Sequence, residues 1–313
     1  MVSFIIRRIV SGVVVLFVVS TLTFFLLYFS ATDVARNILG ETATQAQVHQ
    51  KQIELGLDQP LVSRYLHWLG GIVHGDFGAS WFTSQPVVGS ILDRLPTTLS
   101  VVVVTIVIVA VLSTLIGIAA AVRRGWVDRV LQVVSIAGAA VPQFVIAIVV
   151  VTVFAISLHW FPATGYIPLG DSPGGWAGSL VLPVVALAIG AIASTAQQVR
   201  SATIGVLSKD YVRTLRSRGL SPREVLFRHV LRGAAPAGLT VLSLQFINML
   251  GGVVVIEQIF ALPGMGFLAL QSTTQGDMPV LMGVVVYIVL IVVIVNLLVD
   301  LVVGWLNPKA RVS

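Results

Sequence analysis

The chain has 313 residues, 57% of them hydrophobic and 10% charged, whereas soluble domains carry about 25% charged residues. Its apolar runs reach the roughly 20 residues needed to cross a bilayer, so it is a polytopic membrane protein with length for about six spans and their loops. It contains no cysteine, which excludes disulfides, thiol catalysis and cysteine-based metal sites. The net charge of +6 carries no nucleic-acid meaning until its sidedness is known.

Uncharged runs lie at residues 9–29, 97–122, 130–158, 179–199, 233–256 and 280–299, each long enough for a transmembrane helix. The first, preceded by Arg7 and Arg8, exceeds the apolar core of a signal peptide and is followed by no small-x-small cleavage site, so an uncleaved span is expected. Pro142 in the third run and Pro183 in the fourth are read as kinks in continuous helices.

Residues 30–96 form the large excursion between the first two spans. Thr44 and Gln47 can build a capping box for a helix ending at Leu55-Gly56, and Asp58-Gln59-Pro60 opens a second carrying Leu61, Tyr65, Trp68, Leu69 and Ile72. The sequence His74-Gly75-Asp76-Phe77-Gly78 reads as a turn, and residues 86–95 as a further short helix. His67 and His74 lack nearby thiols or a close carboxylate pair and read as polar surface, not metal ligands. The domain organisation expected is an N-terminal span at 1–29, an extracytoplasmic segment at 30–96, a five-helix core at 97–306 and a tail at 307–313.

Within that core, residues 208–232 hold seven of the nineteen Lys and Arg residues. Gly219 is placed to end one helix in the left-handed conformation, and Ser221-Pro222-Arg223-Glu224 supplies an N-cap, a proline at N1 and a capping-box glutamate for the next. With the amino terminus inside, the cytoplasmic cations are Arg7, Arg8, Arg123, Arg124, Arg129, Arg200, the seven of this loop, Lys309 and Arg311. Arg36, Lys51, Arg64 and Arg94 stay outside, so 15 cations face 4. That asymmetry places both termini in the cytoplasm. It also accounts for the loop's charge without nucleic-acid binding. A simple topological anchor would need charge but no glycine stop, capping box or apolar face of Tyr211, Val212, Leu215, Val225 and Leu226. The loop therefore reads as a docking element.

No phosphate-binding loop of the form G-x-x-x-x-G-K-[ST] occurs, so energy from ATP must come from elsewhere. The stretch from Gly264 to Ala269 matches G-x-G-x-x-A but follows no βαβ strand, and reads as an outside turn. No nucleophile and base, and no paired carboxylates, converge in sequence; the chain is not read as an enzyme. Glu257 and Asp300 lie at span edges, where an ionisable group is a functional candidate. Asp300, one helical turn beyond Asn296, is read as structural, and Glu257 as shaping an outer gate or capping its span. A proton-coupled secondary transporter would use these acids as its relay, but six spans without an internal repeat would have to dimerise to make a pathway.

Several fragments occur together in order. They are Leu55-Gly-Leu-Asp-Gln-Pro-Leu61, Arg64-Tyr65, Trp68-Leu69, Gly75-Asp76-Phe77-Gly78 and Arg94-Leu95-Pro96. They continue with Tyr211-Val212-Arg213-Thr214, Arg218-Gly219-Leu220-Ser221, Arg228-His229-Val230-Leu231-Arg232, Gly251-Gly252 with Glu257, Pro263-Gly264-Met265-Gly266, Asn296 to Asp300, and Asn307-Pro308. Across the whole chain this pattern resembles the first permease subunit of dipeptide/oligopeptide (peptide/nickel-type) ABC importers.

The resemblance implies an all-α membrane protein with the type I ABC importer permease fold. It would work beside a second homologous permease, two ATP-binding subunits or one fused ATPase chain, and an extracytoplasmic substrate-binding protein. ATP and Mg would belong to the ATPase subunits, with no cofactor in this chain. Residues 208–232 occupy the position of the family's EAA loop, whose coupling helix seats in an ATPase groove. The docking residues so implied are Tyr211, Arg213, Leu215, Arg218, Gly219, Leu220, Ser221 and Glu224. Arg213-Thr214-Leu215 stand where the general motif has Glu-Ala-Ala, and Arg232 stands where proline is usual. Glu257, Pro263, Gly264 and Gly266 would form an outer gate and binding-protein-facing loop. Gln197, Gln245, Asn248, Gly251 and Gly252 would line the pathway, a small, apolar and amide surface that suits peptides better than metal. Relatives of this kind import di- and oligopeptides, nickel, glutathione or haem.

Overall fold

A computed structural model of the chain describes residues 2–28, 34–123 and 125–306. The tail at 307–313, with Asn307-Pro308, Lys309 and Arg311, lies outside the described residues, as do Arg124 and positions 29–33 around the first span's outer end. Among the described residues the architecture is helical, with one isolated antiparallel bridge, Ala79 to Pro86. In chain order the helices are α1 (Val2–Tyr28), α2 (Val34–Leu39), α3 (Gln45–Glu54), α4 (Leu61–Val73), α5 (Val87–Arg123), α6 (Trp126–Ala140), α7 (Gln143–Val150), α8 (Pro173–Leu207), α9 (Asp210–Ser217), α10 (Pro222–Glu224), α11 (Leu231–Ile259), α12 (Met265–Gln275) and α13 (Met278–Leu306). π-helical turns follow α7 at Val151–Ser157 and α10 at Val225–Val230.

Five helical stretches are long and apolar enough to cross a membrane: Ile5–Leu27, Val87–Arg123, Pro173–Leu207, Pro222–Ile259 and Met278–Trp305. The third run is divided. Val141 is extended at φ −90°, ψ 121°, and Pro142 lies at φ −60°, ψ 140°, so the chain leaves helix between α6 and α7 and the expected kink at Pro142 is a break. The residue before a proline is pushed from helical toward extended backbone, and Val141 yields to that push. Pro183 behaves as expected, buried inside the uninterrupted α8. Residues 86–95 do not form a separate short helix. They begin α5, which carries Pro96 in its interior.

The chain divides into two compact units. The first comprises Met1–Ile5, Leu99–Leu262 and Ile294–Ser313. Here α8 is the central element, packed by α6, α7 and α11. A Cβ added at Gly117 of α5 would stand 2.6 Å from the Ala196 carbonyl oxygen of α8, so the glycine permits backbone-level approach of two helices. Across the unit, Ser135 donates to the Ala193 carbonyl at 2.9 Å, Gln245 Nε2 donates to Ser194 Oγ at 2.7 Å, and Ser243 donates to Asn296 Oδ1 at 2.5 Å. Each bond satisfies a polar group that hydrocarbon would otherwise strand. Arg200 of α8 pairs with Asp128 in the first turn of α6, the guanidinium Nη2 donating at 2.6 Å. Both side chains are largely buried.

The second unit comprises Ile6–Thr98 and Pro263–Val293. The helix α3 opens with the capping box anticipated from Thr44 and Gln47 and closes at Leu55. In α4, Tyr65 and Trp68 face Phe24 of α1, and the Tyr65 hydroxyl bonds Thr21 at 2.7 Å. The turn after α4 is fastened by Asp277, which accepts from Ser80 Oγ at 2.5 Å and from the Trp81 backbone at 3.2 Å. Burial pushes the Asp277 carboxyl above its ordinary range, opposed by these bonds and one from the Val280 backbone.

Gln50, Ser217 and Gln271 are all exposed, so each can report sidedness in a background free of cysteine. Single cysteines at Gln50 and Gln271 are expected to react with an impermeant thiol reagent in intact cells, and one at Ser217 to react only after permeabilisation. Labelling at 217 from outside would invert the topology.

Candidate functional site

The basic loop is a bend held at both ends by its own backbone. Gly219, at φ +83°, donates to the Arg216 carbonyl at 3.0 Å, and Leu220 donates to the Leu215 carbonyl at 3.3 Å. These are the two crossed bonds of a Schellman motif. Its accompanying apolar contact is supplied by the same Leu215 and Leu220, which rest on a buried cluster of Val206, Val212, Val225, Val230 and Ala234. Ser221 then caps the following helix by accepting from the Glu224 backbone at 3.2 Å, with Pro222 in the first turn. The capping box is half formed. The Glu224 carboxylate reaches Arg228 at 3.6 Å, one turn along the same face.

This packing separates the implied docking residues. Tyr211, Arg213, Arg218, Gly219, Ser221 and Glu224 are exposed, whereas Leu215 and Leu220 turn toward the root of the loop. The second helix does not end before the membrane. It continues through the π turn into α11, making Pro222–Ile259 one helical stretch of 38 residues.

The implied pathway residues also divide. On α11, Ala237, Thr240, Leu244, Asn248, Gly251 and Val255 are exposed at three- and four-residue spacing, giving one continuous helix face of small, apolar and amide groups. Asn248 and Gly251 belong to it. Gln245 instead bonds Ser194, the Gln197 amide oxygen is buried, and Gly252 abuts the side-chain oxygen of Gln143, 2.5 Å from where a Cβ would stand. These three support the face from behind. The stripe was readable in sequence from its helical period; the Gln245 to Ser194 bond was not.

At the outer end of α11, Glu257 is fully buried. Its carbonyl accepts from the Leu262 backbone at 2.9 Å, closing a turn in which Ala261 adopts φ +46°. Pro263-Gly264-Met265-Gly266 is more than the expected outside turn. Gly264 is the N-cap of α12, Gly266 is buried in its first turn, and the Met265 backbone donates to Thr98 Oγ1 at 2.8 Å. No strand precedes this stretch among the described residues. Nor do three His, Asp or Glu side chains there converge to hold a metal.

Residues 113–312 match the family of binding-protein-dependent transport system inner membrane components, and residues 1–102 match the N-terminal family of the same transport membrane components. The chain belongs to this family and is a multi-pass permease of the inner membrane. It is 39% identical over 99% of both chains to a Brucella abortus protein named as a peptide transport system permease. A Sinorhizobium fredii protein named as a peptide ABC transporter permease is 38% identical over 98% of this chain and 99% of its own. An Escherichia coli protein named as a glutathione transport system permease is 33% identical over 99% of each. Among solved structures, the methionine ABC transporter MetNI in an inward-facing form aligns with a TM-score of 0.59 and 17% identity, covering 72% of this chain and 100% of its own. That likeness concerns the fold, a type I importer permease.

Proposed function

We propose that the chain forms half of a translocation pathway for di- or oligopeptides. In this reading it works with a second, homologous permease, an extracytoplasmic binding protein, and ATPases carried either on two subunits or on one fused chain. The exposed bend around Gly219 carries this reading, since it projects polar tips from an apolar root and runs on as the fifth span. Its tips would seat in an ATPase subunit, and ATP and Mg would be bound and used there. The open face of α11 would meet its counterpart on the second permease. Its small residues and single amide accommodate a peptide backbone without fixing its side chains, leaving selection of cargo to the binding protein. Peptide names among the relatives support this cargo. The glutathione relative supports a second reading, in which the same face passes that short peptide-like molecule.

Reconstitution tests the proposal. In proteoliposomes this subunit alone is expected neither to hydrolyse ATP nor to move peptide, whereas the assembled transporter with loaded binding protein does both. Accumulation of peptide by the subunit alone on a proton gradient would replace this mechanism with secondary transport.

A further inference from the structure

We infer that the inner end of the fifth helical stretch carries a binding site for the phosphate-bearing headgroup of an anionic phospholipid. A hollow of about 430 Å³ opens there, lined by Lys209, Tyr211, Arg228, His229, Arg232 and Gly233. Its polar side chains can all donate hydrogen bonds, and it contains no carboxylate. The Arg228 to Glu224 pair, at 3.6 Å with both side chains exposed, neutralises this set only weakly. Gly233 makes the room: a Cβ there would stand 3.2 Å from Val206 Cγ1 and 3.3 Å from the Tyr211 hydroxyl.

Depth selects the ligand. Arg232 lies 27 residues before Ile259 in one helical stretch, about 40 Å along the axis at 1.5 Å per residue. A bilayer with both headgroup layers measures about 40–45 Å. With Ile259 at the outer surface, the hollow therefore falls in the inner headgroup layer. Phe227, 68% exposed on the adjoining π turn, lies one turn or more further toward the cytoplasm and takes no part in the site. Converging cations held at this level recognise the phosphodiester of a headgroup. The hollow is distinct from the bend at Gly219: of the implied docking residues, Tyr211 alone lines it.

The site is tested on the purified full-length protein in mild detergent, titrated with phosphatidylglycerol, with phosphatidylcholine of the same chains, and with inorganic phosphate. Native mass spectrometry counts the bound lipid. Phosphatidylglycerol is expected to bind at least about tenfold more tightly than phosphatidylcholine, in line with roughly fivefold for each surface cation. Lys209→Gln with Arg232→Gln should erase that preference. Arg216→Gln with Arg223→Gln removes the same charge from exposed positions outside the hollow and should change it by less than about twofold. Arg232→Lys, which keeps the charge, should retain most of it. Equal losses in the two double variants would reduce the effect to diffuse loop charge and overturn the proposal. So would competition by inorganic phosphate at equal concentration, which marks a soluble-anion pocket. Displacement of the lipid by a bound ATPase subunit would likewise overturn it, by assigning the hollow to that interface.

Discussion

Gly219→Asp or Gly219→Val is expected to leave the protein in the membrane at normal levels while lowering peptide uptake by the assembled transporter at least about tenfold. The reason is conformational before it is steric. Gly219 sits at φ +83°, and a Cβ built there meets no atom within 4 Å, so a side chain would have space but the wrong backbone. Left-handed backbone costs a non-glycine residue about 1–2 kcal/mol, least for Asp and more for a β-branched residue. That strain falls on the two crossed bonds that set the bend. The loss of function should exceed the loss of stability, because the new side chain also projects from the exposed tip proposed to dock. Interfaces concentrate their energy in a few central positions. ATPase co-purification and uptake are the measurements, and normal uptake at normal subunit ratios would reduce this loop to a charged anchor.

Arg200→Ala is expected to destabilise the first unit strongly, by removing the ion pair that ties α8 to α6. Arg200 and Asp128 are 17% and 16% exposed, and removing one partner of a buried pair costs about 3–5 kcal/mol. Replacing both, as Asp128→Asn with Arg200→Met, should recover at least half of that loss, since a buried pair is often matched by well-packed neutral groups. Thermal unfolding of the purified protein in detergent reads both effects. A midpoint unchanged in Arg200→Ala would show that water compensates the carboxylate.

Local chemistry was legible in the sequence, and long-range partnership was not. Gly219, Ser221 and Pro222 announce a stop, a cap and a start within four positions, and the structure builds each from neighbouring backbone. Thr44 and Gln47 announce their capping box equally well. Pro142 and Pro183 look alike in sequence, because each removes one backbone donor inside an apolar run. The helix breaks at the first and continues through the second, whose ring is buried in α8. Arg200 counted toward the cytoplasmic charge without revealing that it is tied to Asp128, 72 residues earlier. The direction of the loop's two leucines was hidden for a related reason. An apolar residue in a basic loop can face a partner or its own root, and only the cluster around Val212 and Val230 decides for the root.

The unbroken helix from Pro222 to Ile259 makes the fifth span a lever. Its 38 residues measure about 57 Å, so a tilt of about 5° around its middle carries each end sideways by about 2.5 Å in opposite directions. A movement imposed near Ser221 would then reach Glu257 reversed in sign, without any relay of side-chain rearrangements. The widened turn at Val225–Val230 lies on the short cytoplasmic arm, where it would act as a torsional joint and set how much of each stroke crosses the membrane.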